Sequence, residues 1–254
     1  MPLFIRPTFI PMKILLSSAK TMGHSSIAGS QMPSFMEEAI KMQGNMSKWS
    51  LSKIASFHGT SPALSAKIKE RLAEWNADSH LMSGSAALGS FQGEAFAKFN
   101  LETLSTEAQA RALASIYIGS GLYGVLRGSD SIQPYRLDMD QKWGGQSLRN
   151  FWTAKISAWL REELQNQPLI NLASAEYSEA FDRSGMEWID IDFLQESGGK
   201  RKAVSVFSKQ ARGLMARHLC EHYDQGVHAI PLFTAEGYQL DTATSHLNRF
   251  VFVR

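Results

Sequence analysis

Apolar positions along this chain change their spacing several times, and each change marks an element. Ile14, Leu15 and Leu16 form an unbroken apolar run, and small polar residues end it, which predicts a short buried strand over Lys13–Ser17. Helical spacing begins at Ser61. That serine is a good N-cap and Pro62 a good first helical residue, and Leu64, Ile68, Leu72 and Trp75 then share one face. Lys67, Lys69, Arg71 and Glu74 fall mostly off this stripe. Thr106 and Gln109 have capping-box spacing, which predicts a second, alanine-rich helix running to Ile118. A third is predicted from Ser147 to about Gln165, with Leu148, Phe151, Trp152, Ile156, Trp159 and Leu160 as its apolar face.

The second half is richer in strand patterns: Leu169 to Leu172, Glu187 to Phe193, Ala203 to Phe207, and Arg249 to Val253. A helix from Ser208 to Tyr223 separates the last two. Gly84 to Gly93 reads as a flexible loop. With no repeat and no long low-complexity linker, the simplest architecture is one α+β domain.

Composition adds limits. A chain of 254 residues that is 44% hydrophobic can bury a sizeable core. The single cysteine, Cys220, has no internal disulfide partner, so a reducing cytoplasmic setting is expected. Pro7 and Pro11 interrupt the apolar opening, no small-residue cleavage site follows, and no stretch approaches the ~18 apolar residues of a membrane span. Neither secretion nor a membrane is expected. The net charge of +2 does not by itself imply a nucleic-acid partner, but its distribution is uneven. Glu179, Asp182, Glu187, Asp190, Asp192 and Glu196 face only Arg183. Ser197 to Cys220 then holds Lys200, Arg201, Lys202, Lys209, Arg212 and Arg217 with no acid. Either the basic stretch creates a local positive field, or the two stretches pair on the surface.

Gly119, Gly121 and Gly124 match G-x-G-x-x-G, yet the residues before them read as helix where a dinucleotide site needs a strand. A helix–hairpin–helix module with exposed hairpin amides, or a plain interhelical turn, fits that expectation better. His218, Glu221 and His222 spell H-x-x-E-H, but the histidines share the face of Ala211, Leu214 and Met215 and lack a third ligand. Core histidines are expected there, and no metal. Ser17 and Lys20 have S-x-x-K spacing without a K-T-G partner, so Lys20 is read as an anion-binding base after a strand. Asp190 and Asp192 lie on the solvated face of their strand. On the helix from Ser208, Lys209, Gly213 and Ala216 lie opposite the apolar side, flanked by Arg212 and Arg217. Small residues among bases would let a backbone phosphate approach; a merely solvated basic face is the alternative. No cofactor is expected.

Several stretches together resemble the YaaA family: Met12 to Met22 (MKILLSSAKTM), Ser120 to Met139 (SGLYGVLRGSDSIQPYRLDM), Asn171 to Tyr177 (NLASAEY), Lys209 to Met215 (KQARGLM) and Glu236 to Tyr238. The resemblance begins at Met12, leaving Met1 to Pro11 as an extension before a YaaA-type domain over 12–254. It implies a mixed α/β fold with an embedded helix–hairpin–helix, a positively charged cleft, DNA binding without strong sequence preference, and survival of peroxide by limiting iron-dependent DNA damage. Residue by residue, it nominates Lys20, Tyr123, Arg127, Tyr135, Arg136, Asn171, Ser174, Glu176, Tyr177, Lys209 and Arg212 for the cleft. Gly121, Gly124 and Arg217 join them from the hairpin and helix readings. No established catalytic motif is present, but a cleft this varied in polar side chains also fits an enzyme acting on a nucleotide or nucleic acid.

Overall fold

Lys13–Ser17 forms the predicted strand and lies in the interior of the sheet. The structure, a computed structural model, describes residues 11–254. The proposed extension therefore falls, apart from Pro11, outside the described residues. In chain order the strands that matter are β1 (Lys13–Ser17), β2 (Ile116–Ser120), β3 (Gly124–Arg127), β4 (Leu169–Asn171), β5 (Trp188–Ser197), β6 (Lys200–Lys202), β7 (Gln239–Leu240) and β8 (Arg249–Val253). The corresponding helices are α1 (Met36–Met46), α2 (Leu51–His58), α3 (Pro62–Glu74), α4 (Glu94–Phe99), α5 (Thr106–Ser115), α6 (Leu148–Leu164) and α7 (Ser205–Glu221).

The sheet runs β7-β8-β5-β4-β1-β2-β3, with β6 paired to β5. From β8 to β2 every pairing is parallel, and β7 and β3 add antiparallel edges. Ile14, Leu15 and Leu16 are buried because strands flank β1 on both sides and both faces of the sheet are covered there, which is why they read as an unbroken run. The chain leaves β1 towards β2, returns past it to β4, and moves on to β5 on the far side. The carboxyl ends of β1 and β4 therefore flank a topological switch point, where parallel sheets open a crevice.

The mixed α/β architecture expected from the sequence is present, in one domain. Ser61 caps α3 by accepting from the Leu64 amide at 3.4 Å, and Ser147 caps α6 by accepting from Asn150 at 3.1 Å. Among the described residues, no helix is long and apolar enough to cross a membrane.

Four expectations are corrected. The helix from Thr106 ends at Ser115, and Ile116–Ser120 is strand, because Ile116, Tyr117 and Ile118 bury fully against β1. Of the strand expected at Ala203–Phe207, Ser205 to Phe207 form the first turn of α7, and Ala203 and Val204 link it to the exposed β6. Gly84–Gly93 is not a loose loop: Ala86, Ala87, Leu88 and Phe91 are core residues. The helix–hairpin–helix reading of the glycines also fails. Gly119 and Gly124 lie in a β2–β3 hairpin whose residues 120–124 are all buried, so no amide there can meet a phosphate. A methyl on Gly121 would meet the Leu137 carbonyl oxygen at 2.3 Å, and one on Gly124 would meet Trp152 at 2.7 Å. These glycines serve packing. Two helices do meet across a short glycine turn elsewhere, where α2 ends at left-handed Gly59 and α3 begins after Ser61.

Candidate anion-binding cleft

The switch-point crevice is a cavity of about 340 Å³. The loop after β1 brings Ser17, Ser18 and Lys20 to it, and the loop after β4 brings Ser174, Glu176 and Tyr177. The first turn of α4 and the middle of α7 close it, α7 contributing Lys209 and Arg212. Hydroxyls tie the two loops together. Ser17 Oγ accepts from the Ser174 amide at 2.9 Å and sits 3.2 Å from Ser174 Oγ, while Ser18 Oγ donates to Tyr177 Oη at 3.0 Å. Asn171 stands at the root: its Nδ2 donates to Asp190 at 2.7 Å and its Oδ1 accepts from the Ala173 amide at 3.0 Å, fixing how the chain leaves β4. Burial, with the charges of Asp140 and Asp138, raises the Glu176 carboxyl above the usual carboxylate range.

Lys20 and Thr21 also line a second cavity, of about 320 Å³, with Lys67, Arg71 and Arg136. Lys20 Nζ lies 3.3 Å from Asp138, and Arg136 Nε lies 3.9 Å from the same carboxylate, too far for a hydrogen bond. That Nε is buried with no hydrogen-bond partner. Lys67 and Arg71, one turn apart on α3, have no carboxylate within ion-pair distance among the described residues. His58, at the end of α2, registers the environment: burial, aided by the Arg136 charge, pushes its imidazole down to about 4.

Six nominated residues, Lys20, Ser174, Glu176, Tyr177, Lys209 and Arg212, therefore line the first cavity, and Arg136 joins Lys20 in the second. The others do not line either. Tyr123 is fully buried; its Oη accepts from Trp75 Nε1 at 3.1 Å and lies 3.0 Å from His80 Nε2. Through Trp75 this ties the end of α3 to the turn between β2 and β3. Tyr135 is buried against Ser120 Oγ at 2.7 Å. Arg127 is held by Glu163 at the β3 edge, with Nη2 to Oε1 at 2.5 Å and its guanidinium 4.8 Å from the Trp159 ring. Long-range packing puts these groups away from the cleft, and adjacency in one motif did not reveal it.

The small-residue reading of α7 is also corrected. Gly213 and Ala216 are buried, and a methyl on Gly213 would lie 1.9 Å from the Ala95 carbonyl oxygen, so these residues admit α4 rather than a phosphate. Arg217 is a clamp. Its Nη1 donates to the Phe99 and Asn100 carbonyls, both at 3.1 Å, and to Thr103 Oγ1 at 2.8 Å, while Nη2 pairs with Glu221 at 2.9 Å. His218 Nε2 engages the Ala229 carbonyl at 2.9 Å and His222 Nδ1 the His218 carbonyl at 2.9 Å, so H-x-x-E-H here serves helix packing. Lys20 turns to Asp138, not to Ser17. Among the described residues the acidic and basic stretches meet at one ion pair, Arg201 with Glu196 at 2.7 Å, and Arg201 also reaches Asp241, outside both, at 2.5 Å. Sequence reasoning did not nominate Lys67 and Arg71; their signal was two bases one helical turn apart, off an apolar stripe.

The family model described as peroxide stress protein YaaA matches residues 12–244. This chain belongs to the YaaA family. It is 32% identical to a UPF0246 protein of Francisella tularensis subsp. holarctica (strain OSU18), over 96% of this chain and 100% of the relative. It is 34% identical to a UPF0246 protein of Ruegeria sp. (strain TM1040) over the same shares. The stretches that carry the resemblance to the YaaA family supply both walls of the first cavity: Ser17 to Thr21, Ser174 to Tyr177, and Lys209 with Arg212.

Proposed function

We propose that this member of the YaaA family binds DNA through its phosphates, without strong sequence preference, as a cytoplasmic protein of the peroxide-stress response that helps limit iron-dependent DNA damage. One observation carries the reading: Lys20, Lys67, Arg71 and Arg136 surround one cavity, and among the described residues Asp138 is the carboxylate within ion-pair distance of any of them. A backbone phosphate supplies the missing negative charge, and binding it releases counterions whatever the sequence. The α2–α3 pair carries Lys67 and Arg71 on a rigid support, since α3 is anchored through Trp75 to Tyr123.

Changing Lys67, Arg71 and Arg136 together to glutamine is expected to weaken binding to every duplex tested by at least tenfold. It should also lower the slope of log affinity against log salt by about 0.9 for each phosphate that is no longer neutralised. Fluorescence anisotropy over a salt series reads both quantities; unchanged affinity and slope would rule out this surface. The same variant should protect supercoiled plasmid less well from nicking by ferrous iron and peroxide. Equal protection by both proteins would separate damage limitation from this surface.

A further inference from the structure

Arg212 is the least compensated charge in the cleft. Its Nε is buried and meets no hydrogen-bond acceptor, and no carboxylate lies within ion-pair distance among the described residues. Asp192, the acid that acts on it electrostatically, is already committed to Arg249 at 2.7 Å. A guanidinium largely withdrawn from water without a partner is costly, and packing alone would be served better by a neutral side chain. Burial lowers the Arg212 pKa, which is the same cost in another form.

Three further observations point at a ligand. Lys209, one turn before Arg212 on α7, lines the same cavity and has no acidic partner among the described residues. The volume of about 340 Å³ falls within the ~300–1,000 Å³ of small-molecule sites, and its position is the switch point where such sites form. The opposite wall carries the hydroxyls of Ser17 and Ser174 and the half-buried Glu176, polar groups that can hydrogen-bond the body of a ligand whose anionic end faces α7.

We propose that this cavity binds a small phosphomonoester the size of a nucleoside monophosphate, with its phosphate on Arg212 and Lys209 and its body against Glu176 and the serine hydroxyls. Two unpaired cations match a phosphate dianion, and the planar guanidinium offers it two parallel N–H donors. The free nucleotide and the terminal phosphate of a nucleic-acid strand share this chemistry. The inference is independent of duplex binding through Lys67, Arg71 and Arg136.

Calorimetric titration of the full chain with inorganic phosphate, the four deoxynucleoside 5′-monophosphates, and the matching nucleosides tests it. At least one monophosphate is expected to bind at least tenfold more tightly than its nucleoside, with Arg212→Gln weakening it at least tenfold and Lys209→Gln by a smaller factor. Arg212→Gln should fold well and, without ligand, melt about 2–4 °C higher, because a buried unpaired charge is gone. Binding of no phosphate-bearing probe, or binding indifferent to Arg212→Gln, would overturn the proposal. Single-stranded oligonucleotides with and without a 5′-phosphate distinguish the source: tighter binding of the phosphorylated strand than of the monophosphate assigns the site to strand ends, the reverse to free nucleotides. A hydroxyl-ended duplex should bind Arg212→Gln as it binds the parent. Failure of that duplex to bind at all would count against the DNA reading alone.

Discussion

Gly213→Ala is expected to lower the melting temperature by roughly 5–10 °C, although alanine is the better helix former by about 1 kcal/mol. The added methyl would stand 1.9 Å from the Ala95 carbonyl oxygen and 2.8 Å from its carbon. Both belong to the backbone, so no side-chain rotation relieves the clash, and α7 must move away from α4. That displacement strains the Arg217 bonds to Phe99 and Asn100 and shifts Lys209 and Arg212 relative to the first turn of α4. A bulkier Gly213→Val should leave little folded protein. Gly44 in α1 provides the opposite case, since a methyl there meets nothing within 4 Å. Gly44→Ala should therefore stabilise by about 0.5–1 kcal/mol. Equal responses of the two glycines in thermal melts would remove packing as the reason for Gly213.

The two glycines show why part of this protein was legible and part was not. Hydrophobic periodicity depends on one element at a time, so β1, α3, α6 and β8 could be read from their own residues. The limits of α5 and α7 could not. Ile116 to Ile118 continue the α5 pattern, and only pairing with β1 makes them strand; Ser205 to Phe207 have strand-like composition but lie where the chain turns into α7. The site divides in the same way. Lys20, Ser174, Glu176, Tyr177, Lys209 and Arg212 were nominated by resemblance and meet at one cavity, while Tyr123, Tyr135 and Arg127 shared those motifs and turned out to bind α3, β2 and α6. A short motif fixes neighbours in sequence, but which of them face a crevice depends on a sheet order that no single stretch contains. Lys67 and Arg71 illustrate the converse: their motif says only "solvated helix face", and it is Arg136, 65 or more residues away in the chain, that makes them half of a basic cavity.

Asp130→Asn is expected to stabilise the protein at pH 8 and to change little near pH 4. Asp130 is fully buried; its Oδ2 accepts from the Arg127 amide at 2.9 Å, but its Oδ1 has no hydrogen bond, with Arg127 Nη1 3.9 Å away. Burial raises this carboxyl from the ordinary aspartate range to about 7, against the smaller opposing pull of the Arg127 amide and guanidinium. The folded state thus keeps a proton that the unfolded chain has already lost. Its contribution to stability is complete below about pH 4, declines as pH rises, and is gone above about pH 7, where the fold must hold a buried carboxylate. At about 1.4 kcal/mol per pKa unit the upper bound is roughly 4 kcal/mol, and about 1–3 is expected once local relaxation is allowed. Asparagine keeps the acceptor for the Arg127 amide and never ionises. Other groups titrate in the same window, His58 among them: its folded value of about 4 removes stability as pH falls below its unfolded value of 6.5. The difference between parent and Asp130→Asn in urea unfolding from pH 4 to 8 cancels that background. A difference that grows through this range and levels off near pH 8 is the expected result, and a constant difference would mean that Asp130 is ionised in the fold throughout.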